Sequence, residues 1–238
     1  MREPSAEAPA GELTGLGTAA TERIEALATR YRTRFESRCS RSTALQSYEY
    51  LDLLDQAFAA WEYRPAAGLE VHDVGCASFG YAAALVALLQ PAALTAVEID
   101  GYRRLRGGVN RHERALGLIA DLPGVEFLVA DYANLRRPAG IITAFFPFVS
   151  RAPVLAWRLP LSVLAPARLF GRIAVNLGGS GTLLMVNHSA DEAELAAGYA
   201  AAAGLVREAQ FTPTSTLAPR PRSPLVSRWR AGARPGQG

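Results

Sequence analysis

A doubly wound α/β sheet preceded by a helical cap is the fold this 238-residue sequence predicts, on three observations. Short apolar runs alternate with helix-like runs from Leu69 onward, the pattern of a mostly parallel sheet with helices on both faces. The first apolar run, Val71-His72-Asp73-Val74, ends in a small-residue turn, Gly75-Cys76-Ala77-Ser78-Phe79-Gly80, and passes straight into a helix-like run over 81–89. The next two apolar runs carry acid at their carboxyl ends, as Glu98-Ile99-Asp100 and Asp131-Tyr132.

Each element follows from local pattern. Residues 1–20, rich in Ala, Gly, Pro and Glu, read as a disordered tail. Ile24, Leu27, Tyr31 and Phe35 recur at helical spacing and predict a helix over 21–38 with Thr21 as N-cap. Ser42 or Thr43 caps a second helix through Leu45, Tyr48, Leu51, Leu54, Phe58 and Trp61, ended by Pro65 and Gly68. Both helices precede the first strand, so residues 21–64 read as a cap. The main domain is expected over 65–230. It opens with strand 69–74, helix 80–89, strand 94–99 and a helix near 102–120. Strand 125–130, a short connection and strand 140–145 follow. Pro166 in the first turn and Gly178-Gly179 just past the end mark a helix over Pro166–Leu177. Strand Thr182–Asn187, helix 192–203 ended by Gly204, and short strands Leu205–Phe211 and 225–229 complete it; 231–238 reads as a second tail.

Composition excludes several functions. At 50% hydrophobic residues the chain can bury one substantial core. Its apolar runs are broken by Arg or Pro well short of a membrane span. Residues 1–20 lack the basic start and apolar centre of a secretion signal, so a cytoplasmic protein with no membrane partner is expected. Cys39 and Cys76 have neither disulfide-framework nor metal spacing, and no metal is expected. The formal net charge of +3 is unevenly placed: residues 205–238 carry six Arg against one acid, and residues 42–204 twelve Arg against fifteen acids. Arg30, Arg32, Arg34, Arg38 and Arg41 cluster, but such a run reads as a solvated helix face. A mildly acidic centre argues against a nucleic-acid partner. All 25 basic residues are Arg, which excludes Schiff-base chemistry, a lysine base and a P-loop lysine.

Ligands on such sheets sit outside the carboxyl ends of the strands, where the 75–80 turn gathers main-chain N–H groups at a helix start. Taken together, these residues resemble the class I S-adenosylmethionine-dependent methyltransferases over roughly residues 69–230. The resemblance implies a Rossmann-like, seven-stranded sheet, mostly parallel with an antiparallel C-terminal strand, and S-adenosylmethionine as cofactor. Asp73-Val74-Gly75-Cys76 resembles the opening of the family's first motif, an acid–x–Gly–x–Gly turn. Glu98 matches the acid that holds both ribose hydroxyls, with Ile99 beside it at the cofactor. Asp131-Tyr132 resembles the pair that contacts adenine through the Asp side chain and the next backbone N–H. Phe145 falls in the fourth motif, as part of Ala144-Phe145-Phe146-Pro147-Phe148.

The departures are informative. The second and third glycines of the first motif are here Ala77 and Phe79, with Gly80 one place later. Ala77 fits that turn at negative φ, whereas Phe79 needs a turned-out side chain or a shifted turn. Phe145 stands where amino-methylating relatives carry Asn or Asp, and it cannot hydrogen-bond a target nitrogen. The resemblance therefore implies a methyltransferase acting on oxygen or carbon of a small, rather apolar acceptor. Phe146, Phe148, Trp157, His188 and Tyr48 are the residues expected to face that acceptor, with Tyr50 as a second cap tyrosine. His188, after strand 182–187, is the one histidine near the site and the candidate base. Residues 149–165 form a long apolar connection that either roofs the acceptor pocket or packs on the cap. Three rivals stand beside this reading. Gly75-x-Ala77-x-x-Gly80 with Glu98 also fits a loose dinucleotide fingerprint, so an NAD-binding protein is one. A non-catalytic S-adenosylmethionine-binding protein is another, and an RNA methyltransferase using the Arg cluster the third.

Overall fold

The strand–helix alternation is realised as one sheet of seven strands in a computed structural model that describes residues 13, 15–214, 217 and 223–232. Two helices come first, α1 (Thr18–Tyr31) and α2 (Arg41–Ala60), and then β1 (Glu70–Val74), α3 (Ala82–Leu89), β2 (Ala93–Glu98), α4 (Arg111–Ile119) and β3 (Val125–Val129). A 3-10 turn at Tyr132–Asn134 leads to β4 (Ile141–Phe145), α5 (Arg151–Ala156), α6 (Pro166–Leu177), β5 (Thr182–Asn187), α7 (Ala190–Ala202), β6 (Leu205–Phe211) and β7 (Leu225–Ala231). The strand order is β3-β2-β1-β4-β5-β7-β6. The first five strands pair in parallel, and β7 runs antiparallel between β5 and β6. Chain direction across the sheet reverses between β1 and β4, so the crevice that such sheets use for ligands opens at their carboxyl ends.

The central strands read as continuous apolar runs because both faces are covered. On one face Leu27, Phe35, Tyr48, Leu51 and Leu54 of the cap pack with Leu85, Leu94 and Ile141. On the other, Ile142, Leu183 and Met185 meet Phe170 and Ile173 of α6. The cap therefore shares a core with the sheet. Its two helices are also clamped by charge: Arg23 donates to Asp52 and Asp55, and Arg30 and Tyr31 both donate to Asp55.

Where boundaries differ from the sequence expectation, a local signal explains it. The expected helix 21–38 begins earlier and stops at Tyr31, because Arg32 turns left-handed (φ 49°) and Phe35–Ser37 forms a separate 3-10 turn. Gly17, not Thr21, is its N-cap. Ser40, not Ser42 or Thr43, caps α2 by accepting from the Thr43 N–H. The helix expected near 102–120 starts only at Arg111. Gly107 and Gly108 both have positive φ and break the chain there, and Asn110 and Glu113 then form a reciprocal capping box. Most of the tails expected at 1–20 and 231–238 lies outside the described residues, but α1 already begins at Thr18 and β7 runs to Ala231. No helix among the described residues is long and apolar enough to cross a membrane.

Candidate functional site

A cavity of about 210 Å³ opens across the carboxyl ends of β1 to β5. Its floor is the 75–80 turn. Three residues of that turn, Gly75 (φ 73°), Ala77 (φ 53°) and Phe79 (φ 54°), are left-handed. The expectation of negative φ at Ala77 is thus corrected: the turn keeps a glycine-like path although two of its three positions carry side chains. A left-handed non-glycine residue costs roughly 1–2 kcal/mol. At Phe79 the cost is offset by burial: the residue is 0% exposed, packed edge-on to Tyr81 at 5.5 Å, and it forms part of the cavity floor. Burying a Phe is worth roughly 1.5–3 kcal/mol, so the position holds. At Ala77 the fixing comes from Glu98, whose carboxylate accepts the Ala77 N–H at 2.8 Å.

Glu98 ends β2 with its carboxylate in the cavity wall and only 5% exposed. Its second oxygen accepts the Asp100 N–H at 2.8 Å, and the Arg111 guanidinium lies 3.7 Å away. Burial raises its pKa, against the opposing pull of those N–H groups and of Arg111. Ile99 lines the cavity beside it at 40% exposure. At the end of β3 the Asp131 carboxylate accepts the Ala133 N–H at 2.9 Å and also lines the cavity. Tyr132 contributes its main chain there, because its phenol is buried on the far side between His72 Nδ1 (2.9 Å) and Asn176 (3.2 Å). Gly75, Cys76, Ala77, Gly80 and Phe145 all line the cavity as well.

Asp73 does not. It is 0% exposed beneath the turn, taking hydrogen bonds from Tyr81 Oη at 2.7 Å and from Thr143. The residue expected at the cofactor therefore lies outside the cavity lining, its carboxylate tying β1 to β4 and to the start of α3. Burial pushes its pKa up to about 7, with Glu98 adding to the rise and the two hydroxyl donors opposing it. Burial also raises the Cys76 thiol well above its usual range.

The other half of the cavity is aromatic. Phe145, Phe146 and Phe148 leave β4, and His188 follows β5. The His188 imidazole stacks flat on Phe146 at 3.9 Å and 7°. The 149–165 connection roofs this half: Pro153, Trp157, Leu159 and Val163 line it, and Val154 of α5 is buried beneath. Trp157 reaches further than its place after β4 implies. Arg111 lies over its ring at 4.6 Å while pairing with Asp100, so the roof is pinned to the strand that carries Glu98. Tyr48, expected to face the acceptor, does not line the cavity. It is fully buried in the cap, edge-on to Phe35, and donates to Glu36 at 2.8 Å. Tyr50, half a helical turn on, is the cap tyrosine that reaches the cavity, stacked on Tyr81 at 4.1 Å. Gln46, Tyr81 and Leu169 also line the cavity and were missed. Gln46 and Tyr50 share a face of α2 at i, i+4, and that spacing was the available signal. The Gln46 amide oxygen stands where a side chain on Gly80 would be, 2.5 Å from the position of its Cβ.

No family model matches this sequence, and no curated protein matches it. Solved structures do. One is an S-adenosylmethionine-dependent methyltransferase from Clostridium acetobutylicum, with TM-score 0.55, 10% identity, and coverage of 78% of this chain and 92% of that one. A methyltransferase of the same dependence from Aquifex aeolicus gives 0.55 at 13% identity, covering 76% and 92%. A protein named as a candidate RNA methyltransferase from Pyrococcus horikoshii gives 0.54 at 13% identity, covering 89% and 100%. The chain has the fold of the class I S-adenosylmethionine-dependent methyltransferases.

Proposed function

We propose that the protein is an S-adenosylmethionine-dependent methyltransferase acting at oxygen or carbon of a small, rather apolar acceptor. The observation that carries this reading is the buried Glu98 carboxylate, locked to the 75–80 turn and set in the cavity wall. A carboxylate with each oxygen already on one main-chain N–H is held at a fixed angle and keeps lone pairs for a vicinal diol. Asp131 and the Tyr132 main chain at the next strand end suit an adenine edge, with Ile99 and Leu169 as its apolar walls. The residues present therefore fit the nucleoside cofactor that the fold implies. That cofactor supplies a methyl group already activated on positively charged sulfur. The chain's part is to align it with the acceptor, exclude water under the 149–165 roof, and face the sulfur with aromatic rings. No acid–base pair is needed to activate the carbon.

The NAD reading loses support from strand order. The dinucleotide fold runs 3-2-1-4-5-6, whereas here an antiparallel β7 is inserted between β5 and β6. The RNA reading loses support from the Arg cluster, since Arg30, Arg34 and Arg38 are each paired with Asp or Glu. Calorimetric titration with S-adenosylmethionine and with NAD tests the proposal. S-adenosylmethionine is expected to bind and NAD not, and Glu98→Ala should weaken binding by roughly 10- to 100-fold, the loss of one or two charge-assisted hydrogen bonds. Binding of NAD alone overturns it. Tight binding without methyl transfer to any acceptor leaves the non-catalytic reading in its place.

A further inference from the structure

We propose that the acceptor is a flat, uncharged aromatic alcohol of the phenol class, and that the His188 imidazole receives its hydroxyl proton. The inference rests on the methyltransferase reading above. The two carboxylates of the cavity wall, Glu98 and Asp131, stand at the ends of β2 and β3. At the ends of β4 and β5 the wall is Phe145, Phe146, Phe148 and His188, closed by Tyr50 from the cap and Leu159 from the roof. Among the described residues no Asp, Glu or Arg lines that half. In the cofactor-free chain a charged acceptor entering it would lose its hydration without meeting an opposite charge from any Asp, Glu or Arg of the wall, a cost that apolar contact does not return. A neutral acceptor meets no such penalty.

Flatness follows from the ring faces. Phe146 and His188 present a parallel stack, and Tyr50, packed on Tyr81 and Phe145 at 4.1 and 4.6 Å, meets Phe146 edge-on at 6.2 Å. The stack is built at a backbone cost. Phe146 has φ 56°, a left-handed conformation rare for a bulky residue, held by its N–H donating to the Val186 carbonyl at 2.7 Å. Strain of this kind persists only where surrounding structure imposes it, and it marks functional positions. Here it lays the Phe146 ring against the imidazole. The Glu192 carboxylate accepts the main-chain N–H of His188 at 2.7 Å, and Ser189 caps α7 directly after it. His188 is thus fixed in backbone and in ring plane, and it carries the one imidazole of the cavity wall. The step balances with S-adenosylmethionine as methyl donor. The phenol oxygen forms the new bond to the methyl carbon, the methyl–sulfur bond breaks with its electron pair left on sulfur, and the hydroxyl proton passes to the imidazole.

Equilibrium dialysis of the full chain against 2-naphthol, 2-naphthoate and 2-naphthylmethylammonium tests the acceptor class without any cofactor. The alcohol should bind saturably and at least ten-fold tighter than either ion. Equal or tighter binding of an ion, or no saturable binding of the alcohol, overturns the assignment. Methyl transfer to 2-naphthol is then followed against pH. His188→Gln should keep naphthol binding within about three-fold, lose at least 100-fold in rate, and lose the inflection of rate against pH that the wild type shows. A variant that retains rate and inflection, or a wild type that binds both partners without transfer, overturns the proton role. Failure of S-adenosylmethionine to bind in calorimetry is separate from all of these and strikes the methyltransferase reading instead.

Discussion

Ala77 and Gly75 occupy the same left-handed region two residues apart, yet only one of them is a glycine. Their substitutions should therefore move stability in opposite directions. Ala77→Gly removes the Cβ clash, roughly 1–2 kcal/mol, and adds freedom to the unfolded chain, roughly 0.5–1 kcal/mol. The net expectation is stabilisation of up to about 1 kcal/mol, a rise of ~2–4 °C in Tm for a chain this size. Gly75→Ala has open space around its added carbon, with no atom within 4 Å, so its cost is conformational alone. Set against the freedom the unfolded chain loses, it should destabilise by up to about 1 kcal/mol. Urea denaturation at constant m value reads both; a destabilised Ala77→Gly would mean that its φ is not the source of strain. Phe79→Gly obeys a different balance, because the ring's burial outweighs the relief, and it should destabilise.

At the scale of elements, the cap is held by two kinds of ion pair of unequal worth. Asp55 is 3% exposed and accepts from Arg23, Arg30 and Tyr31 across the α1–α2 contact. Removing one member of such a cluster leaves buried charge uncompensated; since Arg30 is itself largely exposed, Asp55→Ala should cost about 2–3 kcal/mol rather than the full figure for a buried pair. Glu25 and Arg34, both more than half exposed, form a pair that solvent screens, and Glu25→Gln should be nearly silent. Denaturation of the two variants side by side checks this, and equal losses would contradict it. The elements themselves were legible where periodicity and punctuation agree. Pro166 and Gly178 bracket α6 as read, and Thr182–Asn187 is β5 as read. They were illegible where a cap overrides periodicity, as Asn110 and Glu113 do for α4. They were also illegible where a long-range partner decides. Nothing local says that Asp73 will be taken by Tyr81 and Thr143, that Tyr50 rather than Tyr48 will face the cavity, or that Arg111 will bridge Trp157 and Asp100. Glu98 and Asp131 were readable because strand ends in this fold class always deliver their side chains to the same edge.

Two neighbours on β1 govern how the whole molecule responds to pH, and they act against each other. His72 and Asp73 are both 0% exposed and point to opposite faces of the strand. Burial pushes the Asp73 carboxyl up to about 7 from its ordinary value of 3.8. Between those values the folded chain holds a proton that the unfolded chain has released, so stability falls as pH rises through the window, by on the order of 4 kcal/mol in all. Burial, with Arg137 beside it, pushes the His72 imidazole down to about 4 from 6.5. Between those values the unfolded chain holds the extra proton, so stability climbs as pH rises, by on the order of 3 kcal/mol. The windows overlap almost completely, and the wild-type protein should be nearly flat from pH 4 to 6.5. A shallow fall should then extend towards pH 7; Glu98, also raised by burial, adds a loss of the same sign that begins above its ordinary 4.5. Asp55 adds a loss only at lower pH. Burial alone would raise it, but its three donors outweigh burial and hold it below 3.8, so its contribution is complete above that value and disappears in acid. Single substitutions should expose the hidden slopes. Asp73→Asn should leave a protein whose stability climbs from pH 4 to 6.5, and His72→Gln one whose stability falls from pH 4 to 7. Urea denaturation at half-unit pH intervals measures all three curves. Parallel curves for the two variants would mean that neither group changes its proton affinity on folding, and that β1 carries its two ionisable residues without cost to the fold.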